Sequence, residues 1–145
     1  MKKQTIVGAL AVVKNSNEQF LMGLRNDQER PDLHHLWEFP GGVVEFDEKP
    51  EEAVVREVEE EMGVKVKILR PILPVIISYD LQKPSLKRYL LFPYFCKIIK
   101  GEPKPSDPEV EKIRWVRLEE IKADRCMPST EKVLKNVLKL KKCLT

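Results

Sequence analysis

The sequence predicts one α+β domain over residues 1–145, with a mixed β-sheet covered by helices. Strand-like apolar segments come before and after a central helical pattern, and a second amphipathic helix pattern follows near the end. No repeat, linker or low-complexity segment divides the chain. The length suits one domain with its own core, and 42% hydrophobic with 34% charged residues is typical of a globular protein.

Strand patterns begin the chain. Residues 4–14 are rich in β-branched and small apolar residues, which predicts a buried strand. NSNEQ predicts a turn, and residues 20–25 are expected to be the hairpin partner of the first strand. Two lysines precede the apolar stretch, as in a signal peptide, but no convincing small-residue cleavage site follows, so a core strand is favoured. A polar loop comes next, and Pro-Gly-Gly at 40–42 predicts a sharp turn.

A helix is predicted over residues 49–62. Pro50 suits the first helical position, and Glu51 and Glu52 suit the positive end of the helix dipole. Gly63 is a natural stop.

The remaining elements follow this helix. Residues 65–78 and 86–100 are expected to be two long strands, and KIRWVRL at 112–118 a third. Residues 129–142 place apolar side chains on one side and lysines on the other, which predicts an amphipathic helix with a solvated lysine face.

The segment REVEEEMGV at 56–64 concentrates four glutamates on the central helix. At about 100° per residue, Glu57, Glu60 and Glu61 share an arc of roughly 100°, and Glu59 points about 200° away from Glu57. Like charges this close repel by a few tenths of a kcal/mol on a bare helix, and a hard divalent cation such as Mg²⁺ would reverse the sign. The helix alone is also compatible with an acidic surface face paired with basic residues.

The residues before the helix complete a recognisable spacing. Gly42, five residues, Glu48, seven residues and then Arg56-Glu57-Val58-Glu59-Glu60-Glu61-Met62-Gly63-Val64 match every specified position of the Nudix box. The chain therefore resembles the Nudix hydrolase family, and WEFPGG at 37–42 is similar to the approach to the box in its MutT-like branch. The resemblance implies a Nudix-like α/β/α sandwich and hydrolysis of a nucleoside diphosphate linked to another moiety, with Mg²⁺ or Mn²⁺.

The resemblance also implies roles for individual residues. Glu57, Glu60, Glu61 and the Gly41 carbonyl would bind the metal, Arg56 would orient a glutamate, and Glu48 and Gly42 would support the site. The catalytic base stays open between Glu57 and Glu109, which precedes Trp115 by the spacing of the MutT-like branch, with Glu111 a weaker substitute. His34 and His35 lie in a loop, and a carboxylate base is favoured over them.

Substrate contacts follow from the same resemblance. Arg25 would bind the substrate phosphate, which suits its planar donor fork, and its alternative role is a structural salt bridge. Phe39 and Trp37 are candidates for base contacts or for core residues. Members that act on oxidised guanine nucleotides place Asn or Asp near the start of the last helix, where this chain has Thr130. Threonine cannot make the two-point amide contact, which argues against that specificity. Further candidate contacts are Lys87, Arg88 and Tyr89.

The expected activity is a metal-dependent nucleoside triphosphate pyrophosphohydrolase that releases a nucleoside monophosphate and pyrophosphate. The alternatives are a hydrolase of ADP-ribose, other nucleotide sugars or dinucleoside polyphosphates, a nucleotide-sensing Nudix domain without catalysis, and an acidic-helix interaction module. Every glutamate of the box is present, which favours an enzyme.

Composition limits the partners and the compartment. A net charge of +3 is too small to predict nucleic-acid binding, and no apolar run is long enough to span a membrane. Three cysteines without a Cys-x-x-Cys argue against a disulfide framework and predict a cytoplasmic protein. The expected partner is a small nucleotide, and the expected state is a monomer or homodimer.

Overall fold

Two β-sheets lie between two helices in the part of the chain that the structure describes. The structure is a computed structural model, and it describes residues 1–121 and 125–143, with side chains as far as residue 140. The elements in chain order are β1 (Lys2–Val13), β2 (Phe20–Arg25), β3 (Trp37–Glu38), β4 (Gly41–Val43), α1 (Pro50–Met62), β5 (Lys65–Pro71), β6 (Ile76–Asp80), β7 (Ser85–Lys100), β8 (Val110–Val116), a short 3₁₀ helix (Leu118–Glu120) and α2 (Pro128–Cys143).

The larger sheet is built around the long strands β1 and β7. These two pair in parallel along their length, from Lys2 opposite Ser85 to Val13 opposite Cys96. The sheet order is β4-β1-β7-β5, with β6 also on β7, and every pair except β1–β7 is antiparallel. The smaller sheet is antiparallel in the order β3-β2-β8. The larger sheet is thus mixed, as the sequence predicts, but a second sheet stands beside it.

The predicted hairpin of β1 and β2 is wrong. An isolated bridge between Lys14 and Phe20 closes the turn, and the two strands then enter different sheets. The reason is that both edges of β1 are taken by β4 and β7, which leaves β2 to pair with β3 and β8.

The predicted single strand over 65–78 is also wrong, because the structure divides it into β5 and β6. Pro71 and Pro74 stand at the break, and proline has no N–H to donate to a sheet ladder. The two short strands pair with successive parts of β7. The predicted strand at 112–118 begins two residues earlier, and both predicted helices agree with α1 and α2 within a residue at each end.

The side chains of β1 point alternately to the two faces of the sheet, and this alternation divides the core into two layers. Ala9, Ala11 and Val13 pack on the α1 side, where Ala53, Val54, Val58 and Met62 of the helix are fully buried. Val12 points to the other face and joins Val133, Leu134 and Val137 of α2. The sheets therefore lie between α1 and α2, which confirms the predicted α/β/α sandwich. None of the described helices is long and apolar enough to cross a membrane.

The contact of β4 with β1 depends on Gly41. Gly41 lies opposite Leu10 in this antiparallel pair and has φ 155°. A methyl group on Gly41 would overlap the Ala9 carbonyl oxygen and would lie 2.8 Å from the Leu10 Cα atom. Only glycine allows this approach of two backbones.

Gly41→Ala is expected to lower the free energy of unfolding by about 3 kcal/mol or more, since the obstructing atoms belong to the backbone of a central strand. Gly42→Ala is the matched control, because a methyl group there would meet the flexible end of the Glu57 side chain, 2.6 Å from Oε2. It is expected to cost about 1 kcal/mol or less. Urea unfolding followed by circular dichroism measures the free energy of unfolding of both variants. Equal losses of stability would show that the close approach of Gly41 to β1 does not require glycine.

Candidate active site

Helix α1 fixes the direction of the glutamates. Glu52 accepts a 3.0 Å hydrogen bond from the Lys49 backbone N–H at the helix start. Gly63 ends the helix in the left-handed conformation with φ 69°, which suits glycine. Because the apolar face of α1 is buried against the sheet, its glutamates point toward the loop around β4 or toward solvent.

The four glutamates have different surroundings. Glu61 is only 8% exposed, and the Glu57 side chain is 18% exposed. Glu60 is about half exposed, with 52% of its side chain accessible, and Glu59 is exposed. Glu59 therefore faces solvent, as the helical period predicts. Glu60 lies at the exposed edge of the arc that it shares with Glu57 and Glu61.

Glu61 points toward the turn before β4. Its Oε1 accepts a 3.2 Å hydrogen bond from the Gly41 backbone N–H. Burial, reinforced by the negative charges of Glu38 and Glu57, raises the pKa of Glu61 to about 9. Burial therefore favours the protonated form of this carboxyl group, and a nearby cation would favour the ionised form.

Arg56 joins several carboxylates at the edge of the site. Its Nε and Nη2 donate to Glu48 at 3.2 and 2.6 Å, and its Nη1 donates to Glu57 Oε1 at 2.9 Å. Nη1 also lies 3.4 Å from Glu60, and Nη2 donates to the Val43 carbonyl at 3.1 Å. The guanidinium thus fixes Glu57 on one side and Glu48 on the other through charge-assisted bonds, which are stronger than neutral ones.

Gly42 leaves room for the Glu57 carboxylate. A methyl group on Gly42 would lie 2.6 and 2.7 Å from the two carboxylate oxygens. The absence of a side chain at this position therefore lets the carboxylate lie against the backbone of β4.

Glu61 lines one end of a cleft of about 1030 Å³, whereas Glu57 and Glu60 are not among its described lining residues. Its floor is the α2-side face of β1 and β7, and loop 26–36, the end of β6 and the start of α2 form its walls. The described lining residues at the acidic end include Glu38, Gly41, Gly42, Glu61 and Glu109. The cleft is large enough for a nucleotide-sized ligand.

The acidic end fits a hard divalent cation by its donor chemistry. Burial also raises the pKa of Glu57 and of Glu38, and the charge of Glu109 adds to both shifts. Oxygen ligands brought together against their repulsion are those that Mg²⁺ prefers. Within residues 1–121 and 125–140, however, no three His, Cys, Asp or Glu side chains already form a compact metal site. Glu57, Glu60, Glu61 and the Gly41 carbonyl would hold such an ion.

Arg25 has two carboxylate partners in the structure. Its Nη2 donates to Asp27 at 2.8 Å and its Nη1 to Glu38 at 3.3 Å. Its Nε is buried and has no hydrogen-bond partner. Sequence reasoning missed both acids, although Glu38 stands in the WEFPGG segment directly before the glycines.

Glu109 lines the cleft, and Glu111 and the two histidines lie elsewhere. Glu111 is bound to His35, with 2.8 Å between Oε2 and Nε2. The rings of His34 and His35 stack at 3.7 Å, and His34 Nδ1 accepts the Asp27 backbone N–H. Neither histidine nor Glu111 is among the described residues that line the cleft.

The aromatic candidates are mostly core residues. Phe39 lines the cleft but is only 1% exposed. Trp37 is not part of the described cleft lining, and Arg114 lies over its ring at 5.6 Å. Thr130 lines the cleft at the start of α2 and is 1% exposed.

The candidate substrate contacts on β7 lie on opposite faces of the sheet, because successive side chains of a strand alternate. Lys87 and Tyr89 line the cleft. Arg88 points to the opposite face, where its Nε and Nη2 donate to Thr5 Oγ1 at 3.2 and 2.9 Å. The structure therefore excludes Arg88 from the floor of the cleft, because neighbouring strand residues face opposite sides.

Comparisons with known proteins agree with this geometry. Residues 4–137 match the family model described as NUDIX domain. The chain is 29% identical over 142 residues to the 8-oxo-dGTP diphosphatase of Escherichia coli strain K12, covering 97% of this chain and 100% of that protein. It is 35% identical over 83 residues to an RNA pyrophosphohydrolase of Gluconacetobacter diazotrophicus, covering 55% of this chain and 50% of that protein.

A solved structure, the MutT NUDIX hydrolase from Burkholderia pseudomallei, superposes with a TM-score of 0.77 at 26% identity, covering 92% of this chain and 98% of that one. Nudix hydrolases generally use divalent metal cations, which agrees with the donor chemistry of the acidic end. With a family model spanning most of the chain, and with Gly42 and Glu61 of the box at one end of the cleft, the chain belongs to the Nudix family, in its MutT-like branch.

Proposed function

We propose that the chain is a metal-dependent nucleoside triphosphate pyrophosphohydrolase. Water would cleave the bond between the α- and β-phosphates and release a nucleoside monophosphate and pyrophosphate. The observation that carries this proposal is the set of desolvated carboxylates around Gly41 and Gly42 at one end of a nucleotide-sized cleft. Relatives named 8-oxo-dGTP diphosphatase and RNA pyrophosphohydrolase support the reaction class.

The bound ion in this proposal is Mg²⁺, with Mn²⁺ as a substitute. A divalent ion neutralises phosphate oxygens and lowers the pKa of a bound water. Glu57, Glu60, Glu61 and the Gly41 carbonyl hold it, and Arg56 keeps Glu57 in place through their 2.9 Å hydrogen bond. Glu48 fixes the far side of that guanidinium.

Two carboxylates remain candidates for the base that accepts the proton of water. Glu57 is held against Gly42 and bonded to Arg56, which suits a ligand or a base at a fixed position. Glu109 has its backbone fixed instead, because its N–H donates to Asp107 at 2.8 Å and its carbonyl accepts the Asn26 N–H. Glu109 lines the cleft, and Glu57 is not among the described lining residues, which favours Glu109 as the base.

The substrate in this proposal is a free nucleotide. The site has no side-chain amide at position 130 to recognise its base. Thr130 offers a hydroxyl at the start of α2, so oxidised guanine is not a specific substrate in this proposal. Arg25 contacts the phosphate only if the phosphate replaces Asp27 or Glu38 as its partner. Phe39 lines the cleft but is only 1% exposed, so it would support the bound base as part of the core.

Location and assembly follow the same proposal. Cys96 is a free, buried thiol, and burial raises its pKa to about 12, which suits a structural residue in a reducing cytoplasm. The expected state is a monomer or homodimer.

An ADP-ribose pyrophosphatase from Streptococcus suis shares the fold at 22% identity, and hydrolysis of nucleotide sugars is the second activity to test.

The activity is tested with a panel of nucleoside triphosphates, ADP-ribose, nucleotide sugars and dinucleoside polyphosphates, assayed with Mg²⁺ for phosphate products. Nucleoside triphosphates are expected to give the largest kcat/KM, with pyrophosphate rather than single phosphates released. Phosphate release without pyrophosphate, or preference for ADP-ribose, would contradict the proposal.

Glu60→Gln and Glu61→Gln are each expected to lower kcat by at least about tenfold, or roughly 1.4 kcal/mol, because each removes a charge that faces the ion. Glu59→Gln is the matched control on the same helix, and it is expected to be nearly silent because Glu59 faces solvent. Steady-state kinetics and thermal unfolding of all three variants separate catalysis from folding. Normal turnover in both Glu60→Gln and Glu61→Gln would rule out their role.

Gly42→Ala is expected to lower kcat by about tenfold while leaving the protein folded, because the added methyl group displaces the Glu57 carboxylate from the backbone of β4. Raising the Mg²⁺ concentration is expected to restore part of the activity. Wild-type kinetics in this variant would show that the position of Glu57 does not matter.

A further inference from the structure

An ion pair joins the two walls of the cleft far from the carboxylates. Arg30 belongs to the loop between β2 and β3, and Asp80 ends β6 on the larger sheet. Arg30 Nη1 donates to Asp80 Oδ2 at 2.5 Å, and Nη2 donates to Oδ1 at 3.3 Å. Both residues line the cleft, so the pair connects one wall with the other.

Strand register gives the position of this pair along the cleft. At the acidic end Leu10 lies opposite Gly41. At the other end Gln4 lies opposite Lys87, which in turn lies opposite Asp80. From residue 10 to residue 4 the strand β1 advances six residues, about 20 Å at roughly 3.3 Å per residue. The distance is of the order of one extended nucleoside triphosphate.

The floor between the two ends is apolar. Ile6 and Leu10 of β1 and Tyr89 and Leu91 of β7 line it, and Leu81 adds to the wall. An apolar surface of this kind suits the base and the sugar. A nucleotide with its phosphates at the carboxylates therefore directs its nucleoside toward the ion pair, an orientation that rests on the proposed function.

The ion pair is held on both sides. Arg30 Nε and Nη2 also donate to Asp32 at 3.1 and 2.8 Å, within the same loop. Asp80 Oδ1 also accepts the Gln82 backbone N–H at 3.3 Å. The side chains of Arg30 and Asp80 are 27% and 18% exposed. The guanidinium of Arg30 lowers the pKa of Asp80, so the carboxylate is charged at neutral pH.

We propose that the Arg30–Asp80 pair is a specificity determinant that closes the distal end of the cleft and restricts the substrate to a free nucleotide. An RNA 5′ end continues from the 3′ oxygen of its first sugar, on the side away from the triphosphate. That continuation runs into the joined walls. The chain therefore rejects 5′-triphosphorylated RNA, although one of its relatives is named RNA pyrophosphohydrolase.

The test compares two ligands that share their first nucleotide. Binding of α,β-methylene-GTP and of the α,β-methylene form of the dinucleotide pppGpU is measured by calorimetry with Mg²⁺ on the intact protein. Wild type is expected to bind the free nucleotide at least about tenfold more tightly. Asp80→Asn and Arg30→Gln are expected to reduce this ratio to near one by improving the affinity for the dinucleotide.

Two further variants serve as controls for folding and for charge. Asp80→Glu retains a carboxylate at the bridge, and Asp32→Asn removes a carboxylate from Arg30 without separating the walls, so both are expected to keep the wild-type ratio. Equal binding of the two ligands by wild type, no binding of either, or an unchanged ratio in Asp80→Asn would overturn the proposal. Selective binding without hydrolysis of GTP by wild type would instead refute only the proposed function.

Discussion

Electrostatic repulsion at one end of the cleft is the constraint on which the rest of the site depends. Burial raises the pKa of Glu38, Glu57 and Glu61, and the negative charges of neighbouring carboxylates add to these shifts. Their described basic partners are Arg25 for Glu38 and Arg56 for Glu57. Such a cluster persists only because rigid elements hold it: α1 presents the glutamates and β4 supplies the backbone beside them. A divalent ion relieves the repulsion, so the same arrangement that destabilises the apo fold favours metal binding.

The division of the strands into two sheets produces the space in front of these carboxylates. Because β1 is flanked by β4 and β7, β2 turns away to pair with β3 and β8. Loop 26–36 then stands on one side of the gap, and the end of β6 stands on the other. The cleft is thus a consequence of strand competition, and the ion pair of Arg30 with Asp80 crosses it at the end opposite the carboxylates.

Local features were predictable from the sequence, and distant pairings were not. The boundaries of α1 follow from Pro50 and Gly63, and the exposure of Glu59 follows from the helical period, since both are properties of one segment. The hairpin of β1 with β2 was wrong because pairing depends on strands that arrive later in the chain. The strand over 65–78 was wrong because the pattern of apolar residues outweighed Pro71 and Pro74. At the site, Asp27 and Asp32 are local partners of Arg25 and Arg30. The pairing of Arg30 with Asp80, fifty residues away, depends on a tertiary contact that no spacing reveals.

The parallel pairing of β1 with β7 has a consequence for how the chain folds. The two strands are separated by 83 positions at the contact of Thr5 with Arg88, so loop closure must precede any gain from their contacts. During synthesis β1 remains without its main neighbour until β7 has left the ribosome. The helix with the box glutamates is synthesised before that point, when its apolar face can pack only on β1 and β4 of the larger sheet. We therefore expect the box glutamates to reach their final positions only when the central sheet is complete.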